Sequence, residues 1–183
     1  DWGQARAMGL YSEFQVTPFQ DAAVGRLIEN GIAVLCCIVY WHKDPHGSDS
    51  SPPAWTEETT ERYLNYVQFI VRHFKGRIRY YEILNEPVNG LLDAPSYVAL
   101  IHRVVPVIRR EYPEAKIVVG GATDLMRAYS REFFIGVVGS DVMPLVDAIA
   151  MHPMYGASPQ YDQTRSYYYG YPDLVREIKA VSV

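Results

Sequence analysis

Tyr81-Glu82-Ile83-Leu84-Asn85-Glu86-Pro87 runs from a β-type stretch straight into a carboxylate followed by proline. Proline removes a backbone donor and restricts the residue before it, so this stretch reads as a strand that ends at Glu86 rather than as part of a helix. A carboxylate pinned at a strand end is where a catalytic acid would be placed.

The flanking sequence supplies the frame. Upstream, residues 32–40 form a continuous apolar run, Ile32-Ala33-Val34-Leu35-Cys36-Cys37-Ile38-Val39-Tyr40, bounded by Asn30-Gly31 on one side and a polar segment on the other. Such a run predicts a strand buried on both faces, as a parallel sheet covered by helices requires. Residues 18–29 place Phe19, Ala22, Ala23, Leu27 and Ile28 at helical spacing, with Gly31 as a C-terminal stop. After the apolar run, Thr56 is positioned to cap a helix in which Tyr63, Val67, Ile70 and Phe74 fall on one face, and Gly76 ends it.

The same rhythm continues past the motif. Residues 95–112 predict a helix with Val98, Ile101, Val105 and Ile108 on one face and a kink at Pro106. Residues 116–121 predict the next strand, closing on Gly120-Gly121. A shorter helix over 131–138, a strand over 146–152 and a helix over 172–181 follow, and residues 5–14 predict the first strand. The pattern is α/β, with about five strands each followed by a helix and right-handed crossovers. Spacing alone leaves a closed barrel and an open sheet equally possible.

The Leu84-Asn85-Glu86-Pro87 segment, with the strand and helix before it, resembles the Asn-Glu-Pro signature of glycoside hydrolase clan A, the retaining (β/α)8-barrel glycosidases, and is most similar to the family 5 and family 39 type. The resemblance implies a TIM barrel in which the motif strand is the fourth. The visible units are then the second to the sixth, and residues 1–183 form a single, incomplete barrel catalytic domain. A (β/α)8 barrel takes about 250 residues, so the expectation is a fragment that needs the remaining barrel segments and is inactive alone.

The same resemblance assigns roles. Glu86 is expected to be the general acid/base. Retaining cleavage also needs a carboxylate nucleophile about 5 to 5.5 Å away, which the resemblance puts beyond Val183. Glu177 and Glu13 are weak substitutes, Glu177 because it sits mid-helix among Val175, Ile178 and Val181. Asn85 corresponds to the asparagine that bonds the sugar 2-hydroxyl. His152, ending the sixth strand, corresponds to a histidine that contacts sugar hydroxyls, and Tyr155 to a tyrosine that positions the nucleophile, although Met154 interrupts the pattern. Trp41 is a residue to stack on a sugar ring or to close the barrel mouth as a lid. Tyr161, Tyr167, Tyr168, Tyr169 and Tyr171 are read as loop residues that line subsites or pack the rim. Glu82 is read as a structural hydrogen-bonding group deeper in the barrel.

Composition narrows the alternatives. With 49% hydrophobic residues the chain has the material for a real core, and a net charge of −4 without any basic cluster argues against nucleic acid as partner. No apolar run approaches membrane-spanning length. Export is left open. Cys36 and Cys37 are adjacent in a strand, point to opposite faces and read as small buried hydrophobes rather than a disulfide or metal pair. No metal-ligand spacing, phosphate loop or nucleophile elbow is present, so neither metal nor cofactor is expected. The leading function is retaining hydrolysis of β-linked oligo- or polysaccharides by double displacement, with a carbohydrate as substrate. A non-catalytic carbohydrate-binding barrel fragment is the alternative from a different class, and an unrelated α/β protein with an incidental Asn-Glu-Pro is the third.

Overall fold

The computed structural model describes residues 14–39, 55–89, 92–123, 125, 127–152 and 162–181. The expected first strand (apart from Phe14), Glu13, Trp41, Tyr155 and Tyr161 lie outside the described residues.

Strands and helices alternate: α1 (Pro18–Glu29), β1 (Leu35–Ile38), α2 (Glu57–Phe74), β2 (Tyr80–Ile83), α3 (Ala94–Glu111), β3 (Lys116–Thr123), α4 (Ala128–Val138), a 3-10 turn (Met143–Leu145), β4 (Ala148–His152) and α5 (Asp162–Val181). The four strands are parallel and lie in the order β1-β2-β3-β4. Consecutive order is the winding of a (β/α) barrel, whereas a doubly wound sheet reverses at a switch point. Side-chain parity agrees. Ile38, Tyr81, Ile83, Ile117 and Val119 share one core with Tyr63, Val67, Tyr97, Ile101 and Ile108 of α2 and α3. Cys37, Glu82 and Val118, in register across β1, β2 and β3, lie on the other face. The fold is therefore part of a TIM barrel, with helices outside and this second face turned inward.

Local chemistry explains the boundaries. Thr17 and Gln20 bond reciprocally at the start of α1, and Thr56 and Thr59 do the same for α2, so the first free backbone donors of both helices are satisfied. Asp93 caps α3 through Ser96 N–H at 2.9 Å. Gly31 and Gly76 follow α1 and α2 at φ of 73° and 78°, a conformation that lets the chain turn out of a helix without Cβ strain. At the opposite end of the strands, Asp147 accepts from Ile117 N–H (2.9 Å), Lys116 (2.7 Å) and Arg109 (2.8 Å), which ties the start of β3 to the approach to β4.

Several expectations are corrected. The strands are shorter than the apolar runs suggest: β1 takes only Leu35–Ile38 of the 32–40 run, and β2 stops at Ile83, before Asn85 and Glu86. Gly120 and Gly121 lie within β3 rather than at its end, at φ of 115° and 60°, where the pairing with β4 slips by one residue between Gly120 and Ala122. The glycines form a bulge. α5 begins at Asp162, well before Pro172, so Tyr168, Tyr169 and Tyr171 are helical and not on a loop. The apolar positions of α1 are not buried, and Phe19 is 82% exposed.

A Cβ on Gly120 would stand 2.5 Å from the carbonyl oxygen of Ala150 and 3.0 Å from the Phe134 ring. Gly120→Ala is therefore expected to destabilise the protein by about 3 kcal/mol or more, through backbone strain and overpacking together. Chemical denaturation of both forms checks this; a loss under about 1 kcal/mol would show that the bulge relaxes freely.

Candidate active site

The site grows out of the end of β2. The last strand carbonyl, that of Ile83, accepts a hydrogen bond from the buried Tyr97 hydroxyl of α3 at 2.5 Å. Past it, Leu84 and Glu86 take left-handed backbone conformations, φ 63° and 49°, each of which costs a side-chain-bearing residue about 1 to 2 kcal/mol. The turn is closed by Asn89 N–H donating to the Glu86 carbonyl at 3.0 Å and Leu92 N–H to that of Pro87 at 2.9 Å. Leu84 goes into the core, and the Glu86 carboxyl is lifted onto the face where the strands end.

Both carboxyl oxygens of Glu86 are held. Oε1 stands 3.0 Å from His152 Nδ1, at the end of β4, and Oε2 accepts from the Asn89 side-chain amide at 3.0 Å. The Glu86 side chain is 32% exposed, so the group is oriented and still open to a ligand. Asn85 is half-buried beside it. The structure thus brings Glu86, Asn85 and His152 to one place, with Asn89, which the sequence gave no reason to select.

Glu82 lies deeper than Glu86, as expected, but it is only partly satisfied. It is 3% exposed, and its Oε1 has no hydrogen-bond partner among the described residues. Burial pushes its carboxyl above the usual glutamate range, against the opposing pull of His152 and of a hydrogen bond with the Cys37 thiol. The Cys37 thiol is itself pushed up to about 12, by burial first and then by the Glu82 charge. Cys36 and Cys37 are free thiols and half-buried, rather than the fully buried hydrophobes that the apolar run suggested. Gly121 makes room for this arrangement: a Cβ there would stand 3.1 Å from Glu82 Oε1 and 3.1 Å from Glu86 N.

Beside the turn lies an open cleft of about 710 Å³, walled by Trp55, Val88, Leu92, Tyr129, Glu132 and Phe133. All of these come from loops or helix starts that follow strand ends, so the cleft shares the face of Glu86. Glu177, the internal substitute for a nucleophile, is ion-paired with Arg131 across the helical layer and takes no part here. Among the described residues there is no cluster arranged to hold a metal ion, and no helix is long and apolar enough to cross a membrane.

No family model and no curated protein matches the chain. Solved structures do. It is similar to a family 39 glycoside hydrolase from Bacteroides cellulosilyticus WH2, with a TM-score of 0.63 and 21% identity over 81% of this chain and 31% of that one. It is also similar to a GH10 xylanase of Thermobacillus composti (TM-score 0.54, 20% identity, 89% of this chain and 52% of that one) and to xylanase 10B of Thermotoga petrophila RKU-1, solved with xylobiose (0.53, 19%, 89% and 53%). The chain spans between 31% and 53% of the length of these structures. At such identities the likeness establishes the fold, part of a TIM barrel of the kind these glycoside hydrolases use.

The raised carboxyl of Glu82 has a consequence for stability. Relative to an ordinary glutamate near pH 4.3, the folded state holds its proton to higher pH than the unfolded state does. The corresponding stability is fully present below about pH 4.3 and is lost as pH rises through the folded value. Glu82→Gln removes this dependence. Its melting temperature relative to the unsubstituted protein should rise between pH 4 and pH 8, and a difference that stays flat across that range would contradict an energetically strained carboxyl.

Proposed function

We propose that this chain carries the acid/base half of a retaining glycoside hydrolase that cleaves β-linked oligo- or polysaccharides by double displacement. The observation that carries the reading is Glu86: a carboxyl on a left-handed turn past a barrel strand, one-third exposed, with an imidazole on one oxygen and an amide on the other. A structural glutamate needs neither the backbone strain nor the open face.

In this reading Glu86 donates its proton to the departing glycosidic oxygen as the bond to the anomeric carbon breaks, then takes a proton from the water that releases the sugar. His152 and Asn89 fix the direction of the carboxyl. Asn85 takes the role of bonding the sugar 2-hydroxyl, Trp41 that of stacking on a sugar ring or closing the barrel mouth, and Tyr155 that of positioning the nucleophile, as the resemblance implies. The nucleophile is supplied from outside the described residues, because Glu82 is too enclosed to meet a sugar and Glu177 is on the outer layer. The aromatic walls of the cleft at Trp55 and Tyr129 suit the apolar faces of sugar rings on the leaving-group side. The family 39 and family 10 likenesses support this reading through the fold they share with the chain.

The test is Glu86→Ala in the full-length protein. Hydrolysis of oligosaccharides should fall by about 10²- to 10⁴-fold, the contribution of a general acid, while formation of the glycosyl-enzyme from activated nitrophenyl glycosides is spared. Azide should restore turnover and yield a β-glycosyl azide. Full activity of the variant on an oligosaccharide would refute the assignment, and undiminished sugar binding by an unsubstituted protein that hydrolyses nothing would favour the non-catalytic alternative.

A further inference from the structure

Two carboxyls address one imidazole. His152 Nδ1 stands 3.0 Å from Glu86 Oε1, and on the other edge of the ring Nε2 lies 4.0 Å from Glu82 Oε1, within ion-pair range though beyond a direct hydrogen bond. The two differ sharply in surroundings, Glu82 being enclosed and Glu86 open. An enclosed carboxyl oxygen without a hydrogen-bond partner is costly, and buried polar groups in folded proteins are rarely left so. Among the described residues the groups around Glu82 are few, and the Tyr97 hydroxyl of α3 is also within electrostatic range of it. β1 contributes the Cys37 thiol, β4 the His152 imidazole and the turn after β2 the Glu86 carboxyl, whereas β3 contributes Val118 and Gly121, neither of which titrates. Gly121 is the shared spacer, since a side chain there would crowd both Glu82 Oε1 and the backbone nitrogen of Glu86.

We propose that Glu82 is a positioning residue for Glu86 that acts through His152, holding the Nε2 edge of the ring so that Nδ1 is presented to the acid/base carboxyl. This rests on the reading of Glu86 as acid/base. When Glu86 gives up its proton, a carboxylate forms 3.0 Å from Nδ1. An ionised Glu82 favours a proton on both ring nitrogens, with Nε2–H directed at Glu82 and Nδ1–H at the new carboxylate. A protonated Glu82 leaves the ring neutral and lets Glu86 keep its own proton. The enclosed carboxyl therefore biases the exposed one through the ring that both address, without touching substrate.

The test is Glu82→Gln in the full-length protein with ¹⁵N-labelled histidine, read by the ring-nitrogen shifts of His152 across pH and by kcat and KM on nitrophenyl β-glycosides. Loss of the neighbouring charge should move the His152 titration to lower pH and shift a limb of the kcat profile with it. The kcat value should fall by about 10- to 100-fold, within the range for the interaction of two charges about 4 Å apart near a protein surface, with KM little changed. In a His152→Ala background the same substitution should add almost nothing. A folded Glu82→Gln protein whose His152 shifts and kcat profile are unmoved would overturn the proposal while leaving Glu86 intact. Absence of hydrolysis by the unsubstituted protein would instead take down the reading of Glu86, and this role with it. Should Glu82→Gln not fold, Glu82→Asp carries the same readout, because the shorter arm withdraws the carboxyl from Nε2 and the His152 titration should again move to lower pH.

Discussion

The Tyr97 hydroxyl is the small contact on which the site's geometry depends. It donates to the carbonyl of Ile83 at 2.5 Å and receives the Gly120 N–H at 3.4 Å, so one buried oxygen joins the last residue of β2 to the bulge of β3. Without a partner the Ile83 carbonyl would be an unsatisfied acceptor in the core, because the chain leaves the sheet there for a left-handed turn. The helix after β1 uses the same device, with Tyr63 donating to the carbonyl of Ile38 at 2.8 Å. In both units a tyrosine from the following helix closes the strand end. The loops that rise from these ends start from fixed points, which is what a catalytic carboxyl on such a loop requires.

From that anchor the electrostatics follow by proximity. Turning the chain at Leu84 sends Glu86 toward His152 and leaves Glu82 below it, against Cys37 and Gly121. The absence of a side chain at Gly121 is what allows the two glutamates to approach the same imidazole. A methyl group in that space would displace either the buried carboxyl or the turn. The bulge at Gly120 and Gly121 is thus part of the site although neither glycine carries chemistry.

Much of this architecture was legible in the residues, where the governing interactions are local. The cap at Thr56, the stops at Gly31 and Gly76, and the buried faces of α2 and α3 depend on neighbours within a turn or two, and they stand as expected. What escaped is non-local or cooperative. Pro172 suggested a helix start, yet the helix runs through it from Asp162. Gly120-Gly121 looked like a strand end because the pattern of a bulge is written in its partner strand, not in the glycines. Glu82 was recognisable as a buried carboxyl, but that one of its oxygens would lack a partner depends on β1, β3 and β4 together. Asn89 carried no signal beyond its spacing from Glu86, at which a side-chain amide can fold back on a turn.

Cost itself separates the site from the scaffold. Glu86 combines a left-handed backbone with a following proline, which disfavours compact conformations of the residue before it, so two steric preferences are overridden at one position. Glu82, a few residues earlier, adds an enclosed carboxyl with one oxygen unpaired among the described residues. A sequence under selection for stability alone could relieve each with a single substitution, glycine at the turn or an apolar residue in the strand. That these costs fall within one short stretch of chain, and that both side chains converge on His152, makes the end of β2 the place where this barrel gives up stability, the cost that the proposed acid/base role of Glu86 would account for.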